Sequence, residues 1–143
     1  MAIVQLSVFV ENKPGMLLEA LNVIAGSGID LRALSLADST DYGILRVIVD
    51  KPELALKVLR ENDYLVEQSK VIPVAISDHP GGLASVLRVL AKENIDVEYT
   101  YAFIAHGKNR AYVVLRVDDN GKAVEILKNE GIDIITSEDK YGL

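Results

Sequence analysis

Two short segments ending in Pro-Gly are the first places in this chain whose residues could do chemistry. Asn12 and Asp78 each stand two residues before a Pro-Gly pair, and apolar residues at helical spacing follow each pair. The first backbone N–H groups of a helix have no partner inside it and lie at the positive end of its dipole. Each segment is therefore a candidate site for a carboxylate, with a polar side chain beside it.

The same segments also have a purely structural interpretation. Asn12 and Asp78 could cap the helices, and the glycines could simply permit a tight turn. Both interpretations stay open at this point. The second segment is the better candidate for binding, because it has Gly81-Gly82 where the first has the bulkier Gly15-Met16.

Asp30 and Asp96 form a second pair of candidates, at equivalent positions after each helix. A turn aspartate that bonds nearby backbone is the alternative to a ligand-binding one. If Asp78 and Asp96 share a site, their charges favour a ligand that carries an ammonium group. Two carboxylates without further oxygen ligands make a poor cation cage, so the pattern predicts no metal site.

Catalytic patterns are absent from the sequence. The chain has no cysteine, no G-x-S-x-G, no H-x-x-x-H and no glycine-rich phosphate loop. Of the two histidines, His79 lies in the second segment and could touch a ligand, while His106 is predicted at the surface in a turn. We predict no catalytic residue and no cofactor, and we expect a protein that is not an enzyme.

The candidate residues recur because the chain contains a repeat. Residues 12–30 align without a gap on residues 78–96, and the match resumes farther on. Identical positions fall in the loop, in the helix and in the turn after it, which one shared amphipathic pattern would not produce. We place the domains at 1–69 and 70–137 and treat 138–143 as a C-terminal tail.

Each repeat is predicted to have the order βαββαβ. Alternating apolar residues over 4–10 predict a strand, and Pro-Gly then begins a helix. Strands at about 29–37 and 43–49, a helix at about 53–62 and a strand from Tyr64 complete the first copy. The predicted fold class is α+β, with two ferredoxin-like repeats packed side by side, each an antiparallel sheet with both helices on one face.

Tyr99, Tyr101 and Phe103 alternate along one predicted strand. On an RNA-binding domain of the same strand order, such aromatic residues would stack on bases. The first repeat has small residues at the equivalent positions, including Ala33 and Ser35. We therefore favour complementary packing between the second strands of the two repeats.

Composition limits the partners. The formal net charge of −6 argues against nucleic acid, whose binding depends on basic contacts. No apolar run is long enough to span a membrane, and residues 1–30 lack the pattern of a signal peptide, so we expect a cytoplasmic protein without a membrane partner. A repeat of this size buries little surface alone, which favours packing of the repeats on each other or a homodimer.

The Pro-Gly segment after a first strand, the Gly-Ile-Asp or Asn-Ile-Asp opening of the second strand and the tandem βαββαβ frame resemble the ACT domain family over residues 3–136. The resemblance implies small regulatory domains that bind amino acids between paired domains. It further implies a stand-alone sensor that binds a free amino acid at the interface between its two domains. A regulated enzyme or another protein would be its partner.

Serine-sensing members of that family hold the ligand with a polar residue before Pro-Gly, with the loop backbone and with an amide at the second strand. Aspartate replaces this amide in both copies, so we expect an amino acid other than serine. The alternative function is a nucleic-acid-binding or other protein-interaction module of the same strand order without a small-molecule ligand. With their neighbours at the helix starts, the predicted ligand-binding residues are Asn12, Gly15, Met16, Leu17, Asp30, Asp78, His79, Gly81, Gly82, Leu83 and Asp96.

Overall fold

The computed structural model describes residues 2–38, 41–104 and 108–135 of the chain. His106 and the predicted tail 138–143 lie outside the described residues. The chain divides into two compact units. The N-terminal unit is Val4–Ser69, and the C-terminal unit contains the chain from Lys70 onward together with the first residues, up to Ile3.

Each unit contains the predicted βαββαβ order, which confirms the predicted fold class. The last strand of the first repeat and the first strand of the second are one continuous strand, β4, so the boundary between the units lies inside a strand. No helix in the described ranges is long and apolar enough to cross a membrane. The elements are β1 (Ile3–Glu11), α1 (Met16–Gly26), β2 (Leu31–Asp38), β3 (Tyr42–Val49), α2 (Pro52–Glu61), β4 (Val66–Ser77), α3 (Gly82–Lys92), β5 (Val97–Ala102), β6 (Arg110–Val117), α4 (Asn120–Asn129) and β7 (Asp133–Ile134).

The sheet of the N-terminal unit has the strand order β2-β3-β1, with the start of β4 beside β1. β3 is antiparallel to both of its neighbours, with Leu45 opposite Val8 of β1. At the other side of β1, the Phe9 N–H donates to the Leu65 carbonyl oxygen at 3.1 Å. Among the described residues β2 pairs with β3 alone, so β2 is an edge strand.

Both helices of the N-terminal unit pack on one face of its sheet. Alternate residues of β1 and β3 point to this face, as the alternating pattern of the sequence predicts. They form one buried cluster with residues of α1 and α2. The fully or almost fully buried members of this cluster include Leu6, Val8, Ile24, Leu45, Val47, Ala55 and Leu59.

The C-terminal unit repeats this architecture with the strand order β5-β6-β4-β7. Val74 of β4 lies opposite Val113 of β6 on one side and opposite Ile134 of β7 on the other. Its core again joins alternate strand residues to both helices. The buried members of this cluster include Ile72, Val74, Val86, Leu90, Leu115, Ala123 and Leu127.

The first helix of each repeat ends in the same way. Gly28 has a φ of 71° and Asn94 a φ of 58°, so both occupy the left-handed region that ends helices. The following residue then bonds back into the helix, with the Ile95 N–H donating to the Leu90 carbonyl oxygen at 3.0 Å. Glycine and asparagine are the two residue types that best accept this conformation, which explains their place in the sequence.

Candidate functional site

The two Pro-Gly segments form tight turns that join a strand to a helix. Gly15 has a φ of 85° and Gly81 a φ of 88°, and each is the N-cap residue of its helix without a side-chain hydrogen bond. The turn closes when the Gly82 N–H donates to the His79 carbonyl oxygen at 3.0 Å. Because L-residues with a side chain rarely adopt this φ, the turn itself requires glycine at both N-cap positions.

Asn12 and Asp78 are exposed and tie these turns to the neighbouring strand. The Asn12 N–H donates to the Asp41 carbonyl oxygen at 3.2 Å, and the Asp78 N–H donates to the Asn109 carbonyl oxygen at 3.0 Å. They are not the N-cap residues, since glycine holds that position in both helices. Their backbone groups therefore anchor the loops.

Gly82 has a different role from Gly81. A Cβ atom added to Gly82 would collide with the Ser77 carbonyl oxygen, whereas one added to Gly81 would meet no atom within 4 Å. The space beside Gly82 is taken by the end of the preceding strand. The missing side chain thus permits close backbone packing. The sequence suggests another reason for this glycine, namely that it leaves room for a ligand.

Asp30 and Asp96 lie at the far end of the first helix of their repeats. Asp30 closes a local turn, because its N–H donates to the Asp50 carboxylate at 2.9 Å and its carboxylate accepts a hydrogen bond from Arg32 at 2.8 Å. The helix has 11 residues, so it separates this turn from the loop by about 16 Å. Within one unit, the aspartate and the loop therefore do not form one site.

The C-terminal unit contains a cavity of about 580 Å³ beside its loop. The end of β4, the start of α3 and the turn between α4 and β7 surround it. Its volume lies within the range of small-molecule sites, about 300–1,000 Å³. The buried or half-buried side chains in its wall are apolar, namely Ala75, Ile76, Val86, Val89 and Ile132.

Polar and charged groups stand at the exposed part of the same cavity. Arg110 pairs with Asp133, with 2.7 Å between Nη2 and Oδ2, and the side chains of both are partly exposed. The Ser85 hydroxyl donates to the Gly81 carbonyl oxygen at 3.0 Å, and Nδ1 of His79 lies 2.9 Å from the Pro80 carbonyl oxygen. With the exposed carboxylate of Glu130, the cavity offers one cation, two anions and neutral polar groups.

The N-terminal unit has a cavity at the equivalent place, but its volume is only about 230 Å³. Bulkier residues occupy the aligned positions. Burial raises the pKa of Tyr64, and the nearby carboxylate of Glu19 raises it further. From the C-terminal to the N-terminal unit, the aligned lining residues change from Ala75 to Phe9, from Gly82 to Met16, from Ser85 to Glu19 and from Ile132 to Tyr64.

The structure brings only some of the predicted ligand-binding residues together. His79 and Gly82 line the larger cavity and Met16 the smaller one. Leu17 and Leu83 are half-buried, and their side chains pack against the two cores. In the described part of the chain, no group of three or more His, Asp or Glu side chains could hold a metal ion.

Arg110, Asp133, Ser85 and Glu130 were not predicted from the sequence. Ser85 lies one helical turn beyond the Pro-Gly segment, and the other three residues lie in parts of the chain that are distant in sequence. One signal could have revealed the cavity. At several aligned positions of the two sequence repeats, the second copy has a smaller residue than the first.

Comparisons with known proteins agree with this architecture. A family model described as an ACT domain pair matches residues 1–143. A crystal structure of a protein from Bacteroides thetaiotaomicron is similar to this chain with a TM-score of 0.92 and 39% sequence identity, covering 100% of this chain and 98% of that chain. No curated protein matches the sequence.

Two more distant structures have the same fold. The regulatory subunit of aspartate kinase from Thermus thermophilus, in its ligand-free form, gives a TM-score of 0.65 at 16% identity and covers 88% of this chain and 91% of that one. The corresponding subunit from Thermus flavus gives 0.62 at 14% identity, with 88% and 90% covered. At this level of identity, the likeness concerns the fold alone.

Proposed function

Because the chain belongs to the ACT domain family, as a pair of such domains, we propose that it is a regulatory protein that binds a free amino acid in the cavity of its C-terminal unit. The observation that carries this proposal is the cavity itself, which combines an apolar wall with charges of both signs. Its regulated partner is an enzyme or another protein. Ligand binding would change the state of the two domains, and the ligand itself would not be chemically converted.

The charges at the cavity suit the two ends of an amino acid. The guanidinium of Arg110 is the natural partner of the α-carboxylate, because arginine can donate two parallel hydrogen bonds to it. Asp133 and Glu130 are available for the ammonium group. Arg110 and Asp133 pair with each other in the structure, and a zwitterion can replace that exposed pair at little cost.

The apolar wall defines the side chain of the proposed ligand. Ala75, Val86 and Ile132 offer no hydrogen-bond partner to a buried polar group. A polar group buried there without a partner would lower affinity by its desolvation cost. We therefore propose that the ligand is a small or medium-sized aliphatic amino acid.

The difference between the repeats supports a site in the second one only. Phe9, Met16 and Tyr64 narrow the equivalent space of the N-terminal unit. A cavity of this kind costs packing energy, and the first repeat shows that larger side chains can reduce its volume within the same fold. An open cavity in the second repeat is therefore consistent with a binding role.

A thermal-shift screen with the common amino acids tests the proposal. A ligand that binds only the native state stabilises it by about 2.7 kcal/mol at one hundred times its dissociation constant. We expect aliphatic amino acids to raise the unfolding temperature, and calorimetry should give a stoichiometry of one per chain. If no amino acid at millimolar concentration produces stabilisation or heat, the proposed function is wrong.

Three variants locate the site. Arg110→Gln removes a charge-assisted hydrogen bond of about 1.5–3 kcal/mol and should weaken binding about tenfold or more. Ser85→Glu introduces the residue of the first repeat and should reduce binding by filling the cavity. Asp96→Asn is the matched control. It should leave the affinity unchanged if the ligand binds in the cavity, and it should lower the affinity if the site uses Asp96 across two domains.

A further inference from the structure

The carboxylate and the apolar side chain of an aliphatic amino acid also occur in another class of molecule. The α-keto acid of the same carbon skeleton carries both groups, and it has a carbonyl oxygen where the amino acid has its ammonium group. Arg110 and the apolar wall of the cavity would therefore contact both molecules alike. The groups that remain at the cavity decide whether the site separates them.

Two side chains at the cavity already donate their hydrogen to the backbone. A carbonyl oxygen only accepts hydrogen bonds, so the Ser85 hydroxyl is the donor in its 3.0 Å bond to Gly81. By the same argument, Nδ1 of His79 is the donor in its 2.9 Å bond to Pro80. The lone pairs of Ser85 Oγ and the Nε2 atom of a neutral His79 ring are therefore left to accept a hydrogen bond from a bound molecule.

Arg110 and Asp133 lie on the two strands that flank β4. Arg110 is opposite Ser77 of β4, and Asp133 is opposite Ala75, two residues away on the same face of that strand. Their ion pair, with 2.7 Å between Nη2 and Oδ2, therefore crosses β4 beside two small side chains. A molecule that takes Arg110 with its carboxylate leaves the carboxylate of Asp133 without this cation.

Building on the proposed function, we propose that this site binds an aliphatic amino acid and rejects the α-keto acid of the same carbon skeleton, with Asp133 and Ser85 as the residues that recognise the amino group. The ammonium group of the amino acid replaces the guanidinium as the partner of Asp133 and donates to Ser85 Oγ. The keto acid instead places an oxygen, which only accepts, beside acceptors and a carboxylate that has lost its partner.

The exposure of these groups sets the size of the effect. The side chains of Arg110 and Asp133 are 44% and 72% exposed, so water can solvate the member of the pair that loses its partner. A fully buried polar site would reject the wrong analogue by about 10⁴-fold or more. For this exposed site we expect the amino acid to bind about tenfold more tightly than the keto acid, which corresponds to about 1.4 kcal/mol.

The first repeat lacks the ion pair and the hydroxyl at the aligned positions. The βαββαβ frame therefore does not require these polar groups, and they accompany the larger cavity. From the second repeat to the first, the aligned residues change from Arg110 to Tyr42, from Asp133 to Leu65 and from Ser85 to Glu19.

The proposed discrimination connects the protein with one class of reaction. Transamination exchanges the amino group of one molecule for the carbonyl oxygen of another, and so converts an amino acid into its keto acid. A site that binds the amino acid and rejects the keto acid responds to the balance of this reaction. It does not respond to the total amount of the carbon skeleton.

Calorimetric titration with three matched pairs of probes tests the proposal. The pairs are L-alanine with pyruvate, L-valine with α-ketoisovalerate and L-leucine with α-ketoisocaproate. In each pair that binds, the amino acid should have the lower dissociation constant, by about tenfold or more. Equal dissociation constants, or tighter binding of the keto acid, would overturn this inference and leave the proposed function in place. If none of the probes binds, both proposals are wrong.

Variants assign the discrimination to the two residues. Ser85→Ala should weaken binding of the amino acid and leave that of the keto acid unchanged, while Ser85→Thr, which keeps the hydroxyl, should retain the discrimination. Asp133→Asn should bring the two dissociation constants closer together, because its amide can donate to the keto oxygen. Glu125→Gln is the matched control, since it removes an exposed carboxylate of α4 outside the cavity and should leave their ratio unchanged. If Ser85→Ala or Asp133→Asn leaves the ratio at its original value, the role proposed for that residue is wrong.

Discussion

Adjacent glycines in the second loop are required for different physical reasons. Gly81 provides a backbone conformation with positive φ, while Gly82 provides the absence of an atom. The sequence alone could not separate these roles, because both residues stand in one Gly-Gly pair. The distinction matters for mutagenesis, because a substitution at either position should lower the stability of the folded protein whatever its effect on binding.

Gly82→Ala should destabilise the protein by about 1–3 kcal/mol, because its methyl group would collide with the Ser77 carbonyl oxygen. Urea denaturation measures this cost. Gly121→Ala is the matched control, since its Cβ would lie 3.7 Å from the nearest atom and alanine favours a helix. If Gly82→Ala were as stable as Gly121→Ala, the end of β4 would have to move to make room for the added methyl group.

Tyr64 makes the stability of the protein depend on alkaline pH. Burial and then the Glu19 carboxylate raise its pKa, so the unfolded chain ionises this tyrosine first, near pH 10. The contribution is present below that pH and is lost as the pH rises through the folded-state pKa.

Tyr64→Phe should therefore lose less stability than the unmodified protein between neutral and alkaline pH. Glu19→Gln should show an intermediate loss, because it removes the second cause of the pKa shift and leaves burial in place. Urea denaturation at several pH values measures both. Identical pH profiles for all three proteins would contradict the assignment.

Among the elements, the first helix of each repeat shows how one structural requirement is met by two residue types. Gly28 and Asn94 both end their helix with positive φ. Asn94→Ala should cost about 1–2 kcal/mol, because alanine in the left-handed region is strained. Asn94→Gly, which copies the first repeat, should retain stability in the same denaturation experiment. Equal stability of the alanine and glycine variants would mean that the helix end rearranges.

Local elements could be predicted from the sequence to within a few residues. The alternation of Val4, Leu6 and Val8, the Pro-Gly turns and the helix-ending Gly28 are each encoded by neighbouring residues. The cavity could not be predicted in this way. Its volume depends on Ala75, Arg110 and Gly131, which lie in β4, in β6 and in the turn between α4 and β7 and carry no motif. The volume of such a site depends on which side chains pack against one another. These contacts between distant parts of the chain cannot be read from a single sequence.

At the scale of the whole molecule, the net charge argues against the nucleic-acid alternative. The formal charge of −6 repels a phosphate backbone, and Tyr99 and Tyr101 stack on each other. We expect no mobility shift of single-stranded RNA or DNA at physiological salt. A salt-sensitive complex with either would contradict this expectation.

The side-by-side packing of the two repeats stays a prediction.

The position of the repeat boundary inside β4 has a consequence for how the protein can be divided. Tandem domains are ordinarily released from each other by a protease that cuts an exposed, flexible linker. Here the boundary between Ser69 and Lys70 falls within a twelve-residue strand, and a backbone held in a strand is a poor protease substrate. The chain is duplicated like a modular protein, yet limited proteolysis should not yield its two repeats as separate fragments.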